Sequence, residues 1–145
     1  MSMDLYVFVD HSSTLTVLEW QHALDASRLP LRLDKSIKLN TWSGFFPVIL
    51  NNKKTGFYFL NTDIVELGDE IPAIKRQHST AVYDFNFGGH FLEAASAYYL
   101  ASALVASFNG RAFEPESGKW LDSKELQKAA HEMEAMGASE QGVAD

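Results

Sequence analysis

Cysteine is absent from this sequence of 145 residues. The chain therefore forms no disulfide, no thiolate zinc site and no cysteine nucleophile. Small secreted scaffolds usually depend on disulfides, so the chain is not expected to be one of them. Its first ten residues contain Asp4, no basic residue and an apolar run too short for a signal peptide. These features predict a cytoplasmic protein.

Positive charge is also scarce. The chain has 12 Lys and Arg residues against 19 Asp and Glu residues, a formal net charge of −7. Because phosphate binding needs a basic face, nucleic acid is not expected as a direct ligand. An acidic protein suits a basic partner, and a charge of this size speeds the encounter with one. Solubility alone is the alternative explanation of the charge.

Residues 84–110 lack both a phosphate-binding motif and a membrane-spanning run. The segment Gly88-Gly89-His90 has neither the Gly-Lys-Ser/Thr ending of a P-loop nor the three-glycine dinucleotide fingerprint. Glu93 and three serines interrupt the alanine-rich run that follows, so no membrane span is expected. The run instead predicts a helix that is apolar on nearly every side and lies at the centre of the fold. His90 is interpreted as a boundary residue of this helix, with catalysis as the alternative.

Metal and catalytic motifs are missing as well. The five histidines form no His-x-His or His-x-x-x-His pair; they are His11, His22, His78, His90 and His131. There is no Gly-x-Ser-x-Gly elbow and no Ser-x-x-Lys pair. We therefore predict no metal, no cofactor and no enzymatic activity. A small hydrolase that uses His90, the Asp10-His11 pair, or His78 with a distant carboxylate remains the alternative.

The patterns that are present predict an α+β fold. Thr16 with Glu19, and Asp122 with Glu125, have capping-box spacing at the start of two amphipathic helices. Apolar or alternating segments predict strands at 5–9, 45–50, 55–62 and 79–87, and two short arms within 111–121. Pro47 indicates an edge strand or a bulge. We predict one domain, residues 1–136, in which a mostly antiparallel sheet packs against the central alanine-rich helix and two flanking helices, followed by a flexible tail at 137–145.

Acidic residues are concentrated in two predicted loops, one within residues 63–78 and one around Pro115. Carboxylates beside an exposed aromatic side chain can cover a basic protein surface, the aromatic acting as anchor and the charges as steering. Solvated loop charge is the alternative for each residue taken singly. The predicted partner-binding residues are Asp63, Glu66, Asp69, Glu70, Glu114, Glu116 and Trp120.

Several segments together resemble a family of small proteobacterial immunity proteins associated with polymorphic-toxin and contact-dependent growth-inhibition loci. The resemblance covers roughly residues 15–130. The segments that carry it are Trp20-Gln21, Gly44-Phe45-Phe46-Pro47, Gly56-Phe57-Tyr58, Phe85-Asn86-Phe87-Gly88-Gly89 and Gly110-Arg111-Ala112-Phe113-Glu114-Pro115. The chain departs from the family pattern at Phe113-Glu114, where the family has Tyr-Asp, and at His90, where the family has an acid.

The resemblance implies an immunity protein that binds the toxic C-terminal domain of one cognate toxin. Many such toxins are basic nucleases, so the preferred target is a ribonuclease domain, and the expected mechanism is occlusion of its active cleft. Besides the hydrolase, a third hypothesis is an adaptor that binds a peptide at the strand containing Pro47.

Overall fold

The computed structural model describes residues 2–10, 15–72 and 81–140, except for the side chain of Asn61. Within them lie seven strands and four helices. The strands are β1 (Met3–Val9), β2 (Leu31–Leu33), β3 (Gly44–Leu50), β4 (Lys53–Asn61), β5 (Ala81–Phe87), β6 (Arg111–Glu114) and β7 (Lys119–Leu121). The helices are α1 (Val17–Ala26), α2 (Ile64–Glu70), α3 (Phe91–Ser107) and α4 (Ser123–Met136). All strand pairs are antiparallel, in the order β2-β3-β4-β5-β1-β6-β7.

This architecture confirms the predicted single α+β domain, an antiparallel sheet with helices packed against it. The main core lies on the sheet face covered by α1, α3 and α4, which we call the helix face. The prediction of a loop across the first acidic cluster was wrong, because residues 64–70 form α2. Asp63 caps this helix, and Ile64, Leu67 and Ile71 recur at the helical spacing that an apolar stripe requires.

The hairpin of β3 and β4 confirms the predicted strands on either side of a turn. Asn51 and Asn52 form the two-residue connection with φ of 47° and 68°, the conformation that asparagine tolerates and that matches the twist of a hairpin. Pro47 pairs with Gly56 in an uninterrupted register, so no bulge is present. On the other side of β3, β2 pairs only with Val48–Leu50. Pro47 lies one residue before this pairing, so the sheet ends locally beside it and its missing N–H leaves no hydrogen bond unmade.

Helix α1 holds the largest buried side chain of the core. Thr16 and Glu19 form the predicted capping box at its start. Trp20 is fully buried, and its ring contacts an aromatic group from three strands. The group consists of Phe46, Phe59, Tyr83 and Phe85, with ring centroids 5.0 to 5.9 Å from that of Trp20. The aromatic residues that the sequence places along three strands thus meet at one side chain.

Gln21, next to Trp20, closes the free edge of the sheet. Its buried side-chain amide donates to the carbonyl oxygen of Leu31 at 3.1 Å and accepts from the N–H of Leu33 at 2.8 Å. These are the backbone groups of β2 that point away from β3, so the amide takes the place of a further strand. The edge therefore offers fewer groups to a peptide than an open strand would.

Helix α3 confirms the predicted central helix. It is buried from Leu92 to Val105 except at Glu93, and α4 packs along it. The buried Ser96 and Ser102 hydroxyls donate to backbone carbonyl oxygens of the same helix, so their burial leaves no donor unpaired. Within the ranges that the structure covers, no helix is long and apolar enough to cross a membrane.

The residues after α4 return to the start of α3. The Glu140 carboxylate accepts from the N–H groups of Phe91 and Leu92, each at 3.0 Å, where the helix has unpaired donors. The Lys53 ammonium donates to the carbonyl oxygens of Ala138 and Glu140. The sequence prediction begins a flexible tail at residue 137; its described part, 137–140, makes these contacts, and 141–145 lie outside the described residues.

Candidate functional site

The sheet face opposite the helix face, which we call the second face, combines apolar and acidic side chains. Strand alternation and register fix its layout. One row of neighbours across it is Phe45, Tyr58, Asn86 and Asp4. The adjacent row is Leu60, Asp84, Tyr6, Phe113 and Trp120. Segments distant in sequence thereby form one continuous surface.

Helix α2 covers only part of the second face. Leu67 is buried in a small cluster with side chains of β1, β5 and β6, and Ile64 and Ile71 lie against it. The strand residues of this cluster are Tyr6, Phe8, Val82 and Phe113. Because the apolar stripe of α2 is used in this contact, its acidic residues Glu66, Asp69 and Glu70 are exposed beside the uncovered part of the sheet.

The uncovered part carries exposed apolar side chains on β3 and β4. Tyr58 is 52% exposed, Ile49 42% and Leu60 39%, although all three belong to strands. The Phe45 ring lies edge-on to Tyr58 with centroids 5.7 Å apart. A Cβ atom at Gly56 would lie 2.6 Å from the Phe45 ring, so the glycine lets this ring lie against the sheet. An exposed ring supported by a partly exposed one on a sheet is suited to anchor a partner protein.

A pair of carboxyl groups lies next to these apolar residues. Asp84 of β5 and Asp4 of β1 are diagonal neighbours on the second face, with their side chains within hydrogen-bonding reach. Asn86 donates to Asp4 Oδ1 at 3.0 Å and so orients the Asp4 carboxylate. Asp84 is 8% exposed, and its Oδ1 atom has no hydrogen-bond partner. A buried acceptor without a donor is unfavourable, and among the described residues the only other buried side-chain polar atom without a partner is Trp20 Nε1.

The surroundings of Asp84 disfavour its ionised form. Burial raises the pKa of Asp84 from 3.8 to about 8, and the hydrogen bond and negative charge of Asp4 add to this rise. Burial, together with the charges of Asp84, Asp4, Glu70 and Glu116, also raises the pKa of Tyr6. The carboxylates of β1, β5, α2 and the turn after β6 thus act on one region of the second face.

The four predicted site residues of the first acidic cluster lie on one side of the second face. Asp63 accepts from the N–H groups of Val65 at 2.8 Å and Glu66 at 3.2 Å, so its carboxylate is used in capping α2. Glu66, Asp69 and Glu70 are exposed. Asp63 is exposed as well, so the packing of α2 leaves all four residues at the surface, with only the Asp63 carboxylate engaged in capping.

The three predicted residues around Pro115 separate in the structure. Glu114 is turned toward the helix layer, where it accepts from the Tyr98 hydroxyl and from Ser117 Oγ. Glu116 is exposed, and its carboxylate lies 3.4 Å from the backbone nitrogen of Asp4. The structure thus brings Glu116 to the carboxyl pair and directs Glu114 into an internal contact.

Trp120 was predicted as the exposed aromatic anchor, but it is only partly exposed. Its ring packs against Phe8 and Phe113, with centroids 5.5 and 5.0 Å away. The Arg111 guanidinium lies over the same ring at 4.6 Å, as a cation–π contact. Trp120 therefore extends the small cluster under α2, and Tyr58 with Leu60 supplies the more exposed apolar surface.

The histidines proposed for a hydrolase do not all fall within the structure. His11 and His78 lie outside the described residues. His90 is exposed at the start of α3, as the predicted boundary residue, and its side chain makes no capping hydrogen bond. His131 Nδ1 lies 2.8 Å from the Tyr99 hydroxyl, which donates to Glu134 at 2.6 Å. This chain of contacts joins α3 to α4 on the helix side.

The second face therefore combines exposed apolar side chains, a carboxyl pair of which Asp84 is buried and Asp4 partly exposed, and acidic residues at its margin. Such a surface can bind a basic protein, because apolar contact and opposite charge are offered side by side. Among residues 2–10, 15–72 and 81–140, no group of three or more His, Asp or Glu side chains could hold a metal ion. No protein-family model, curated protein or solved structure matches this chain.

Proposed function

We propose that this protein is an immunity protein of the cytoplasm that binds a basic toxin domain through its second face and blocks the toxin's active cleft. The preferred target is a ribonuclease domain, as the resemblance of the chain to toxin-associated immunity proteins implies. The observation that carries the proposal is the placement of exposed Tyr58 and Leu60 directly beside the Asp4–Asp84 pair.

Two properties of the second face favour a basic protein as the partner, its exposed apolar area and the negative charge around it. Tyr58, Leu60 and Phe45 supply apolar area on a rigid sheet, where little side-chain entropy is lost on binding. The carboxylates of Glu66, Asp69, Glu70 and Glu116 supply a negative field around that area, which speeds encounter with a positive surface and orients it. Neither the apolar area nor the negative field alone favours a basic protein over other ligands, but the combination of the two does.

Occlusion follows from the same arrangement. A nuclease cleft binds the phosphates of its substrate through basic side chains. The carboxylates of α2 and of Glu116 can occupy those basic groups, while the aromatic rings of the second face fill the space of the bases. The bound protein would then exclude nucleic acid without any chemical step.

The test is binding to the C-terminal domain of the secreted protein encoded by the neighbouring gene. We expect a stable complex by isothermal titration calorimetry, with association that slows steeply as salt rises from 50 to 500 mM because surface charges are screened. Nuclease activity of the domain should fall in proportion to the complex formed. Absence of a complex, or a complex whose association rate is indifferent to salt, would contradict the proposal.

A matched pair of variants locates the interface. Glu70→Gln removes a carboxylate at the margin of the second face, whereas Glu132→Gln removes one from the exposed side of α4. The proposal requires Glu70→Gln to slow association more than Glu132→Gln does. Equal effects would indicate that net charge alone attracts the partner and that the second face is not the interface.

The hydrolase is a second candidate, favoured by the proton that Asp84 retains near neutral pH, since general acids need such a pKa. It would be supported by hydrolysis of generic ester or phosphodiester substrates that disappears in Asp84→Asn. The adaptor hypothesis places a peptide at the strand that contains Pro47, and it is weakened because this strand, β3, already pairs with β4 along its length and with β2 at Val48–Leu50.

A further inference from the structure

Exposed apolar side chains are concentrated on the side of the protein that carries the second face. Seven large apolar residues are exposed within the described ranges, and four of them lie on this side. Ile49, Tyr58 and Leu60 belong to β3 and β4, and Val65 of α2 is 72% exposed, the highest value of the seven. The other three are divided among α1, α3 and α4. Contiguous apolar surface of this kind marks a site of protein–protein contact.

The second face has the shape of a step. α2 stands on one half, which we call the covered half, where Leu67 packs on β1, β5 and β6. On the other half, which we call the open half, the side chains of Ile49, Tyr58 and Leu60 are 39 to 52% exposed. A helix raises the surface by about 10 Å, its own diameter. A two-fold rotation about an axis along the step places the raised half of one molecule on the low half of a second, so the shape is self-complementary.

The two halves also carry opposite charges. The covered half presents the exposed acidic side chains of α2. In the open half, the strand register places Ile49 between Arg32 of β2 and Lys54 of β4, and both basic residues are exposed. Lys54 lies near the start of β4, whereas α2 begins at Ile64, shortly after β4 ends. The basic row and the acidic helix therefore lie at opposite ends of the second face, with Tyr58 between them.

We propose that the protein pairs with a second copy of itself through the second face, in a two-fold arrangement in which α2 of each copy lies on β3 and β4 of the other. The acidic side chains of each α2 then meet the row of Arg32, Ile49 and Lys54 of the other copy, which is the charge complementarity that favours this occupant. Val65 gains apolar contact in the same arrangement. Tyr58 of the two copies meets near the two-fold axis, and tyrosine is enriched at the centre of such interfaces.

The net charge limits the strength of this pairing. Each copy has a formal net charge of −7, so two copies repel each other before they touch. We therefore expect a reversible dimer with a dissociation constant on the order of 10 to 100 μM, at the weak end of specific interfaces. The inference does not rest on the proposed function. A toxin domain bound to the second face would displace the second copy, so the apolar surface stays covered until the toxin is met.

The first experiment measures the mass of the free protein by sedimentation equilibrium from 2 μM to 1 mM. We expect the wild type to shift from the mass of one chain toward that of two. Tyr58→Arg places a charge at the centre of the interface twice, so the dissociation constant should rise at least about 100-fold. Leu18→Arg, on a similarly exposed residue of α1, is the control and should pair as the wild type does. A wild type that stays a single chain at 1 mM, or a Tyr58→Arg variant that pairs normally, would overturn the inference.

The second experiment exchanges the charges. Arg32→Glu and the double variant Glu66→Lys/Glu70→Lys each create two repulsive contacts in a dimer of identical chains, so each should pair at least about 10-fold more weakly than the wild type. In a mixture of the two, one contact is reversed in sign and the other is that of the wild type, so the mixed dimer should form with nearly wild-type affinity. Glu132→Lys, on the exposed side of α4, is the control for net charge and should pair as the wild type does.

The mixture distinguishes this arrangement from association through any other surface. A mixture that pairs no better than the two variants do separately would overturn the two-fold arrangement, and circular dichroism of each variant verifies that it is folded. None of these measurements involves the toxin domain. A protein that stays a single chain removes the dimer and leaves the immunity function standing, whereas absence of a toxin complex removes that function and leaves the dimer standing.

Discussion

The two faces of the sheet differ in how completely their apolar side chains are buried, although each face keeps one buried polar atom without a partner, Trp20 Nε1 on the helix face and Asp84 Oδ1 on the second face. On the helix face, aromatic and aliphatic residues are buried around Trp20 and α3, and the buried Gln21 amide and Ser96 hydroxyl have partners. On the second face, Tyr58 and Leu60 are exposed and Asp84 keeps an unpaired acceptor. The difference teaches that one face stabilises the fold while the other leaves apolar surface uncovered beside a buried carboxyl group. Natural proteins commonly lose stability at sites of function in this way.

The largest expected effect is on the helix face. Trp20→Ala removes the side chain around which four other rings pack, and it leaves a cavity that the sheet cannot fill. We expect the free energy of unfolding to fall by about 3–5 kcal/mol. Urea denaturation followed by circular dichroism measures this change. A loss below about 1 kcal/mol would show that the core tolerates the cavity and would weaken the contrast between the faces.

A smaller loss is expected at the closed edge of β2. Gln21→Ala removes the amide that pairs with the backbone groups of Leu31 and Leu33, so we expect a loss of about 2–3 kcal/mol. Hydrogen exchange should show faster exchange of the Leu33 amide. His22→Ala, an exposed neighbour on the same helix, is the control and should change stability little. Equal effects of the two variants would refute the edge-closing role of Gln21.

On the second face we expect a substitution to raise the free energy of unfolding instead of lowering it. The pKa of Asp84 is about 8 in the folded protein, against an ordinary 3.8, so folding binds a proton between these pH values. The contribution of the Asp84 carboxyl group to the free energy of unfolding therefore falls as the pH rises from about 4 to 8. Asp84→Asn cannot ionise, and we expect it to be more stable than the wild type by at most about 5 kcal/mol at pH 8, with little difference near pH 4.

Thermal and urea unfolding of both proteins at several pH values measure this difference. The gap between variant and wild type should widen with pH over the interval in which Asp84 is protonated only in the folded state. A gap independent of pH would mean that Asp84 ionises normally and that the second face carries no unfavourable charge. That result would remove the contrast with the helix face.

The smallest effect on stability is expected at Tyr58. Its side chain is about half exposed, so Tyr58→Ala should change the free energy of unfolding by less than about 1 kcal/mol. The same change should weaken binding of the toxin domain by about 2 kcal/mol, roughly 30-fold, as expected of an aromatic anchor. Leu18→Ala, a similarly exposed apolar residue on α1, is the control and should leave binding unchanged.

Much of the fold was predictable because its signals are local. The capping boxes of Thr16 with Glu19 and of Asp122 with Glu125 were read from spacing alone, and both are present. The alanine-rich segment was recognised as the central helix because it is apolar on nearly every side. α2 was missed because its apolar residues are few, although Asp63 and the spacing of Ile64, Leu67 and Ile71 carried a signal for it.

The candidate site was less predictable. The acidic residues of α2 and Glu116 were named from the sequence as partner-binding residues, while Asp4 and Asp84 were not considered for that role. The alternation of Val82, Asp84 and Asn86 placed these residues on one face of β5, but gave no indication of what faces them. Eighty residues separate Asp4 from Asp84, and only the register of β1 with β5 brings them together.

The sequence by itself determined the element types apart from α2, most helix boundaries and the acidic character of the protein, because helix capping, alternation and net charge depend on neighbouring residues or on composition. Only the tertiary structure decided that Trp120 is packed, that Glu114 turns inward and that Asp84 is buried beside Asp4. The reason is physical: the pKa and the accessibility of a side chain depend on the surroundings that strand pairing creates, and pairing joins segments whose separation along the chain carries no record of it.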